Sequence, residues 1–130
     1  MDHATLIVLL ALLQYVLFTG RVGLARGKYN VNAPECDGDE TWNRLFRIQQ
    51  NTMEQLIVFI PATYAFAFYL SELWVLIPGL AFLVGRFLYS LEYVKDPKTR
   101  TPGMAITLLA NVVLVLGALF GLVRVMFFGS

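Results

Sequence analysis

Residues 44–70, RLFRIQQNTMEQLIVFIPATYAFAFYL, join a polar segment directly to a long apolar one. Within the polar segment, Arg47, Asn51 and Glu54 are spaced i, i+4 and i+7. Because an α-helix turns by about 100° per residue, these three side chains share one helix face. Ionisable groups at the edge of a bilayer core are costly, so this face is a candidate functional site.

The composition is that of a membrane protein. Hydrophobic residues make up 58% of the 130-residue chain and charged residues 15%, whereas soluble domains average about 25% charged residues. The net charge is +1 without a basic tract, which argues against a nucleic-acid partner. The single cysteine, Cys36, lies in an acidic segment and is predicted to be unreactive, because neighbouring carboxylates disfavour the thiolate. No metal site is predicted.

Four apolar segments are long enough to cross a bilayer core of about 30 Å, which takes about 20 helical residues. With a polar lead-in added to the second, these spans are predicted at residues 4–24, 41–70, 73–94 and 103–128. Asp39 or Thr41 is expected to cap the second helix. No period-two alternation competes with this interpretation. The predicted fold is therefore an all-α, integral membrane four-helix bundle formed by a single domain.

Lysine and arginine residues collect at one end of the predicted bundle. Eight of the ten lie in or beside two connections: Arg21, Arg26, Lys28, Arg44 and Arg47 around the loop between the first two spans, and Lys95, Lys98 and Arg100 in the loop between the last two. The positive-inside rule predicts that both loops are cytoplasmic and that both termini lie on the opposite side. Trp42 and Trp74 are predicted to be interfacial anchors.

A second polar stripe is predicted on the third span, where Arg86, Tyr89 and Tyr93 are spaced i, i+3 and i+7. Both stripes lie towards the same end of the bundle, so they are expected to meet. Arginines bind carboxylates through paired hydrogen bonds, and a carboxylate such as Glu54 binds an ammonium group, which together predict a zwitterionic ligand. The alternatives are interfacial tyrosines and a purely structural ion pair between Glu54 and Arg86.

Gln49 points about 160° away from Asn51 around the helix. Polar groups on two faces indicate that the second helix packs between two polar surfaces. In a monomer of four spans one of those surfaces would face lipid. A homo-oligomer with this helix near the subunit interface is therefore expected.

The segment from Arg47 to Glu54 resembles the R-x-Q-x-N-x-x-E signature of the MAPEG family, the membrane-associated proteins of eicosanoid and glutathione metabolism. Residues 85–93, followed by Arg100, are similar to the third-helix pattern of that family. The resemblance implies a homotrimer with glutathione as co-substrate, bound between neighbouring subunits near the cytoplasmic face.

The resemblance also implies roles for individual residues, two of which, Arg26 and Gln49, would reach the glutathione from the neighbouring subunit. With Arg86 added from its stripe, the predicted glutathione-binding residues are Arg26, Arg47, Gln49, Asn51, Glu54, Arg86, Tyr89 and Tyr93. Arg100 would be catalytic, because a guanidinium beside the glutathione sulfur favours the nucleophilic thiolate.

Two positions depart from the leukotriene C synthases of this family. Gln55 stands where they have a tyrosine, and Gly27 stands where they have an arginine proposed to help the electrophile. The second departure argues against leukotriene synthesis itself.

These features predict a membrane-bound glutathione transferase, with or without glutathione peroxidase activity, that acts on a hydrophobic electrophile or lipid. The alternative is a non-catalytic, lipid-binding member of the family. A small four-span transporter fits poorly, because such transporters depend on an acidic residue in the first span and this chain has none between Leu6 and Phe18.

Overall fold

The computed structural model describes residues 1–96, 98 and 101–129. The helices in chain order are α1 (Asp2–Tyr29), α2 (Glu40–Tyr69), α3 (Leu76–Lys95) and α4 (Thr101–Phe128). The most extensive contacts join α3 to α4, α1 to α2, and α2 to α4. The predicted all-α membrane bundle is confirmed.

Within the described residues, α1, α3 and α4 are long and apolar enough to cross a membrane. α2 is 30 residues long, but its first half carries the polar stripe, which lowers its mean hydropathy. That α2 also spans the bilayer, and that the chain is one four-span domain, stay predictions.

α1 extends five residues beyond the predicted apolar segment. It ends where Asn30 adopts a left-handed conformation, with φ 58° and ψ 41°. The backbone N–H groups of Asn30 and Val31 both donate to the carbonyl of Arg26. Asparagine tolerates this conformation better than most residues, which fixes the helix end here.

The start of α2 is capped by Asp39. Its carboxylate accepts hydrogen bonds from the backbone N–H groups of Thr41 at 2.8 Å and Trp42 at 3.2 Å. This satisfies two donors that a helix N-terminus leaves unpaired. Of the two predicted caps, Asp39 is therefore the one used.

α3 begins at Leu76, three residues later than predicted. The hydroxyl oxygen of Ser71 accepts a hydrogen bond from the backbone N–H of Trp74 at 3.1 Å, which holds residues 71–74 in a turn. Pro78 then falls in the first turn of α3, where the absence of its N–H costs no helical hydrogen bond.

The main apolar core lies in the half of the bundle nearest the connection between α2 and α3. The rings of Phe59 and Phe82 stack with centroids 3.8 Å apart. Ile7, Val75 and Leu114 are buried in the same cluster. This core therefore draws residues from all four helices or their immediate ends.

Trp42 is not an interfacial anchor. It is completely buried, and its indole N–H donates to the carbonyl of Val22 at 3.2 Å. It packs in a small cluster with Val22, Val31 and Leu45 that joins α1 to the start of α2. Trp74, in contrast, is 62% exposed, as a membrane-interface residue would be.

Gly103, near the start of α4, permits a close approach to α3. A Cβ atom at this position would overlap the backbone of Tyr89. The missing side chain therefore lets the first turn of α4 lie directly against the segment of α3 that carries the predicted tyrosines.

Candidate functional site

The two predicted polar stripes meet in a groove of about 330 Å³, which we call the polar groove. It is lined by Arg47, Gln50, Asn51, Glu54, Tyr89, Tyr93 and Met104. α2 supplies the charged and amide groups, α3 the tyrosines and α4 the methionine. Five of the eight predicted glutathione-binding residues thus lie together in one chain.

The two charged residues of the polar groove have no charged partner of their own. Within the part of the chain that the structure describes, Arg47 and Glu54 form no hydrogen bond or ion pair. Both side chains are exposed. A free cation and a free anion on one helix face can bind opposite charges on the same ligand.

Arg86 lies behind the polar groove and does not line it. It is completely buried, and its Nη2 donates to Oδ1 of Asn51 at 2.7 Å and to Oγ1 of Thr52 at 3.1 Å. Among the described residues, Arg86 forms no ion pair with Glu54, so the alternative of a structural ion pair between them is wrong. Arg86 instead holds Asn51 in place.

The bond to Arg86 also fixes which way the Asn51 amide points. A guanidinium only donates, so it must face the amide oxygen. The NH₂ group of Asn51 is then left for the polar groove, where it can donate to a carboxylate or carbonyl of a ligand.

The two tyrosines form the opposite wall. Tyr89 and Tyr93 are buried, and their rings stack with centroids 5.4 Å apart. The guanidinium of Arg86 lies 4.4 Å from the centroid of Tyr89. The interfacial-aromatic alternative therefore does not describe them, since they pack inside the bundle.

Arg26 and Gln49 lie away from the polar groove of their own chain. Nη1 of Arg26 donates to the carbonyl of Glu35 at 2.8 Å, and its guanidinium lies 4.7 Å from the ring of Trp42. Nε2 of Gln49 donates to the hydroxyl of Tyr15 at 3.0 Å. Gln49 thus has a polar partner within the chain, so its helix face no longer requires a neighbouring subunit.

Arg44 has a structural role that its sequence position did not reveal. Nη1 donates to the carbonyls of Val94 at 3.0 Å and Lys95 at 3.2 Å, and Nη2 pairs with Glu40 at 2.6 Å. These carbonyls belong to the last turn of α3, which a helix leaves unpaired. Arg44 therefore fastens the end of α3, and with it the tyrosine wall, to α2.

Arg100 lies outside the described residues. Thr101, which follows it in sequence, begins α4, and Met104 in the first turn of α4 borders the polar groove.

An apolar hollow adjoins the polar groove along α2 and α4. It has a volume of about 290 Å³ and is lined by Gln55, Thr101, Met104, Ala105, Thr107 and Leu108. Met104 borders both spaces. A second hollow of about 280 Å³ shares Gln55 and Leu108 with the first. The polar groove therefore borders a mostly apolar surface along α2 and α4.

One polar contact interrupts this apolar surface. Nδ2 of Asn111 donates to Oε1 of Gln55 at 2.9 Å. Asn111 was not predicted, although it stands alone as an amide within the apolar run of α4. Hydrogen bonds of this kind join helices inside membranes, so the pair fastens α4 to α2.

No metal-binding arrangement was predicted, and within residues 1–96, 98 and 101–129 no group of three or more His, Cys, Asp or Glu side chains could hold a metal ion.

Comparison with known proteins places this architecture in a family. The MAPEG family model matches residues 4–120. An uncharacterized protein of Synechocystis sp. is 38% identical over 117 residues, which cover 90% of this chain and 85% of that protein. Human microsomal glutathione S-transferase 2 is 33% identical over 112 residues, which cover 85% of this chain and 76% of the human protein. A probable microsomal glutathione S-transferase of Dictyostelium discoideum is 40% identical over 73 residues, 56% of this chain and 49% of that protein.

The family match extends across all four helices and includes every residue of the polar groove. The chain therefore belongs to the MAPEG family.

Proposed function

We propose that this protein is a membrane-bound glutathione transferase whose polar groove binds glutathione. The observation that carries the proposal is the pair of unmatched charges, Arg47 and Glu54, on either side of an Asn51 amide held by Arg86. The relatives named microsomal glutathione S-transferase support this assignment.

Glutathione has the functional groups that the polar groove can match. It is a tripeptide with two carboxylates, an ammonium group and a thiol. Arg47 is suited to a carboxylate, Glu54 to the ammonium group, and the NH₂ group of Asn51 to a carboxylate or peptide oxygen. The tyrosine rings supply an apolar wall with hydroxyl groups along it.

Arg100 is the residue that we propose to activate the thiol. A free thiol has a pKa of about 8.5, and only the thiolate is a strong nucleophile. A nearby guanidinium lowers the pKa of a thiol, and each unit corresponds to about 1.4 kcal/mol of preferential thiolate stabilisation. Arg100 directly precedes Thr101 in the sequence, and the first turn of α4, which begins at Thr101, borders the polar groove at Met104; this supports the role.

The proposed reaction is a nucleophilic addition or displacement. The thiol proton passes to solvent, and the thiolate sulfur forms a bond to an electrophilic carbon. The electron pair of the breaking bond leaves with the displaced group, or stays on oxygen when an epoxide opens. In a peroxidase reaction, the thiolate would instead attack a hydroperoxide oxygen, and a second glutathione would complete the reduction to alcohol, water and glutathione disulfide.

The second substrate is proposed to be hydrophobic and to enter from the lipid bilayer. The apolar hollow meets the polar groove at Met104, so a molecule within the hollow would lie beside the bound glutathione. The same hollow favours one alternative function, in which the protein binds a lipid without catalysing a reaction.

A homotrimer with both basic loops in the cytoplasm is part of the proposal. Arg26 and Gln49 lie away from the polar groove of their own chain, so any contact that they make with glutathione must be with the molecule bound next to a neighbouring subunit. Family resemblance supports the trimer, and the positive-inside rule supports the orientation.

The test is a thiolate difference spectrum at about 240 nm on purified protein with added glutathione, because thiolate absorbance follows the thiol pKa. We expect a thiolate signal that Arg100→Ala loses and that Lys98→Ala, which removes a cation two residues away, retains. Absence of glutathione binding to the wild-type protein would overturn the proposal. Binding without either a thiolate signal or conjugation would favour the lipid-binding alternative.

A further inference from the structure

A second cationic site lies on α1, away from the polar groove. A groove of about 670 Å³ follows this helix, and we call it the α1 groove. Val16, Leu17, Leu24 and Leu45 supply much of its apolar wall, and Arg21 and Lys28 are its cationic residues. None of the residues that line the polar groove borders it.

Arg21 has polar atoms that the described part of the chain leaves unsatisfied. Its Nε and Nη2 are buried and have no hydrogen-bond partner among the described residues. Its guanidinium carbon lies 5.1 Å from the centroid of the Phe18 ring, a contact that satisfies no N–H donor. A guanidinium at the edge of a membrane is costly without an acceptor, so we expect this half-buried side chain to turn towards a partner outside the chain.

Arg21 and Lys28 lie along α1 at the level where a lipid headgroup is expected. Arg21 and Lys28 are seven residues apart, so they share one helix face and are separated by about 10 Å along the axis. Lys28 is in the last turn of α1. Arg21 lies near the end of the apolar run, where a long cationic side chain reaches towards the interface.

The positive charge of the α1 groove favours a lipid with an anionic headgroup. Among the described residues, no aspartate or glutamate borders it. A Cβ atom added at Gly20 would meet nothing within 4 Å, so the groove is open beside Arg21. An acyl chain can therefore lie against the leucines while its headgroup is within reach of both cations.

We propose that the α1 groove binds an anionic phospholipid. The forked donors of Arg21 are suited to the phosphate oxygens, and Lys28 to the outer part of the headgroup. The acyl chain packs on Val16, Leu17 and Leu24. This site does not depend on glutathione binding or on catalysis.

The test measures lipid binding to the delipidated full-length protein in detergent by native mass spectrometry. The probes are phosphatidylglycerol and phosphatidylcholine with identical acyl chains. We expect wild-type protein to retain phosphatidylglycerol preferentially. Arg21→Gln should weaken that binding about tenfold, the loss expected for one hydrogen bond to a charged group. Arg124→Gln, at an exposed arginine of α4 that does not border the α1 groove, is the matched control.

A second variant tests the groove without changing its charge. Gly20→Leu fills the open space beside Arg21 and favours the helix, so it is expected to fold and to exclude the acyl chain. Equal retention of both lipids by wild-type protein would overturn the proposal, as would unchanged phosphatidylglycerol binding in both variants. Dissociation of an oligomer by Arg21→Gln, without a change in lipid preference, would instead identify a second copy of the chain as the partner.

Discussion

α2 passes through two different environments along its length. In its second half, Phe59 stacks on Phe82 within a core that draws residues from all four helices or their immediate ends. In its first half, Arg47 and Glu54 face the polar groove without a partner in the described chain. The second half of α2 thus packs against other parts of the bundle, whereas the first half carries two charged side chains that form no hydrogen bond or ion pair within the described chain.

Within this single helix, the apolar half contributes mainly to stability and the polar half mainly to ligand binding. Packing contacts of the apolar half stabilise the bundle, and their loss leaves a cavity. The unmet charges of the polar half contribute little to folding, because they bond to nothing in the described chain. Functional sites commonly sacrifice stability in this way. Substitutions in the apolar half should therefore lower stability and spare ligand binding, whereas substitutions in the polar half should weaken binding and leave stability nearly unchanged.

The largest effect on stability is expected from Phe82→Ala. The ring is completely buried against Phe59, and truncation of a buried phenylalanine costs about 3–5 kcal/mol of unfolding free energy. Molecules that remain folded should still bind glutathione, because the polar stripes are untouched. Reversible denaturation in mixed micelles gives the free energy, with Phe87→Ala, at a residue 55% exposed on the same helix, as the control. Equal stability of the two variants would contradict this assignment.

The largest effect on binding is expected from Arg47→Gln and Glu54→Gln. Each removes one charged hydrogen bond to the ligand, worth about 1.5–3 kcal/mol, so glutathione affinity should fall about tenfold to a hundredfold. The free energy of unfolding should change by less than about 0.5 kcal/mol.

Isothermal titration with glutathione measures these affinities. Lys95→Gln removes an exposed cation near the same end of the bundle that does not line the polar groove, so it is the matched control. If Glu54→Gln destabilised the protein without weakening glutathione binding, the carboxylate would have a structural partner. The contrast between the two halves of α2 would then be wrong.

The polar groove could be predicted from sequence because its determinants are local. Helical spacing alone places Arg47, Asn51 and Glu54 on one face. The same spacing placed Arg86 with Tyr89 and Tyr93, but it could not distinguish a residue that lines a groove from one that lies behind it. That distinction depends on the rotation of α3 against α2, which no pattern within α3 specifies.

Contacts between distant segments could not be predicted from the sequence for the same reason. The bond between Gln49 and Tyr15 and the cap that Arg44 forms on α3 require two helices in a particular register. Because the sequence does not show that register, the partner of Gln49 on α1 could not be foreseen, and its polar side chain was wrongly interpreted as requiring a neighbouring subunit. The start of α3 was also predicted too early, because the turn held by Ser71 interrupts an apolar sequence that by composition continues as a helix.

The smallest effect is expected at Glu72, whose charge is satisfied within its own chain, unlike that of Glu54. Hydrogen bonds from the N-terminal ammonium group of Met1 and from the backbone of His3 lower the pKa of Glu72 to about 2. Because this pKa is lower than the ordinary value of 4.5, the carboxylate stabilises the fold above pH 4.5, and the contribution is lost as the pH falls towards 2. The group is fully exposed, so water and salt screen it and the change in melting temperature should be small. Melting temperatures of wild type and Glu72→Gln, measured across this range, should differ slightly at neutral pH and converge in acid. A constant difference at every pH would show that the paired carboxylate does not contribute through its charge.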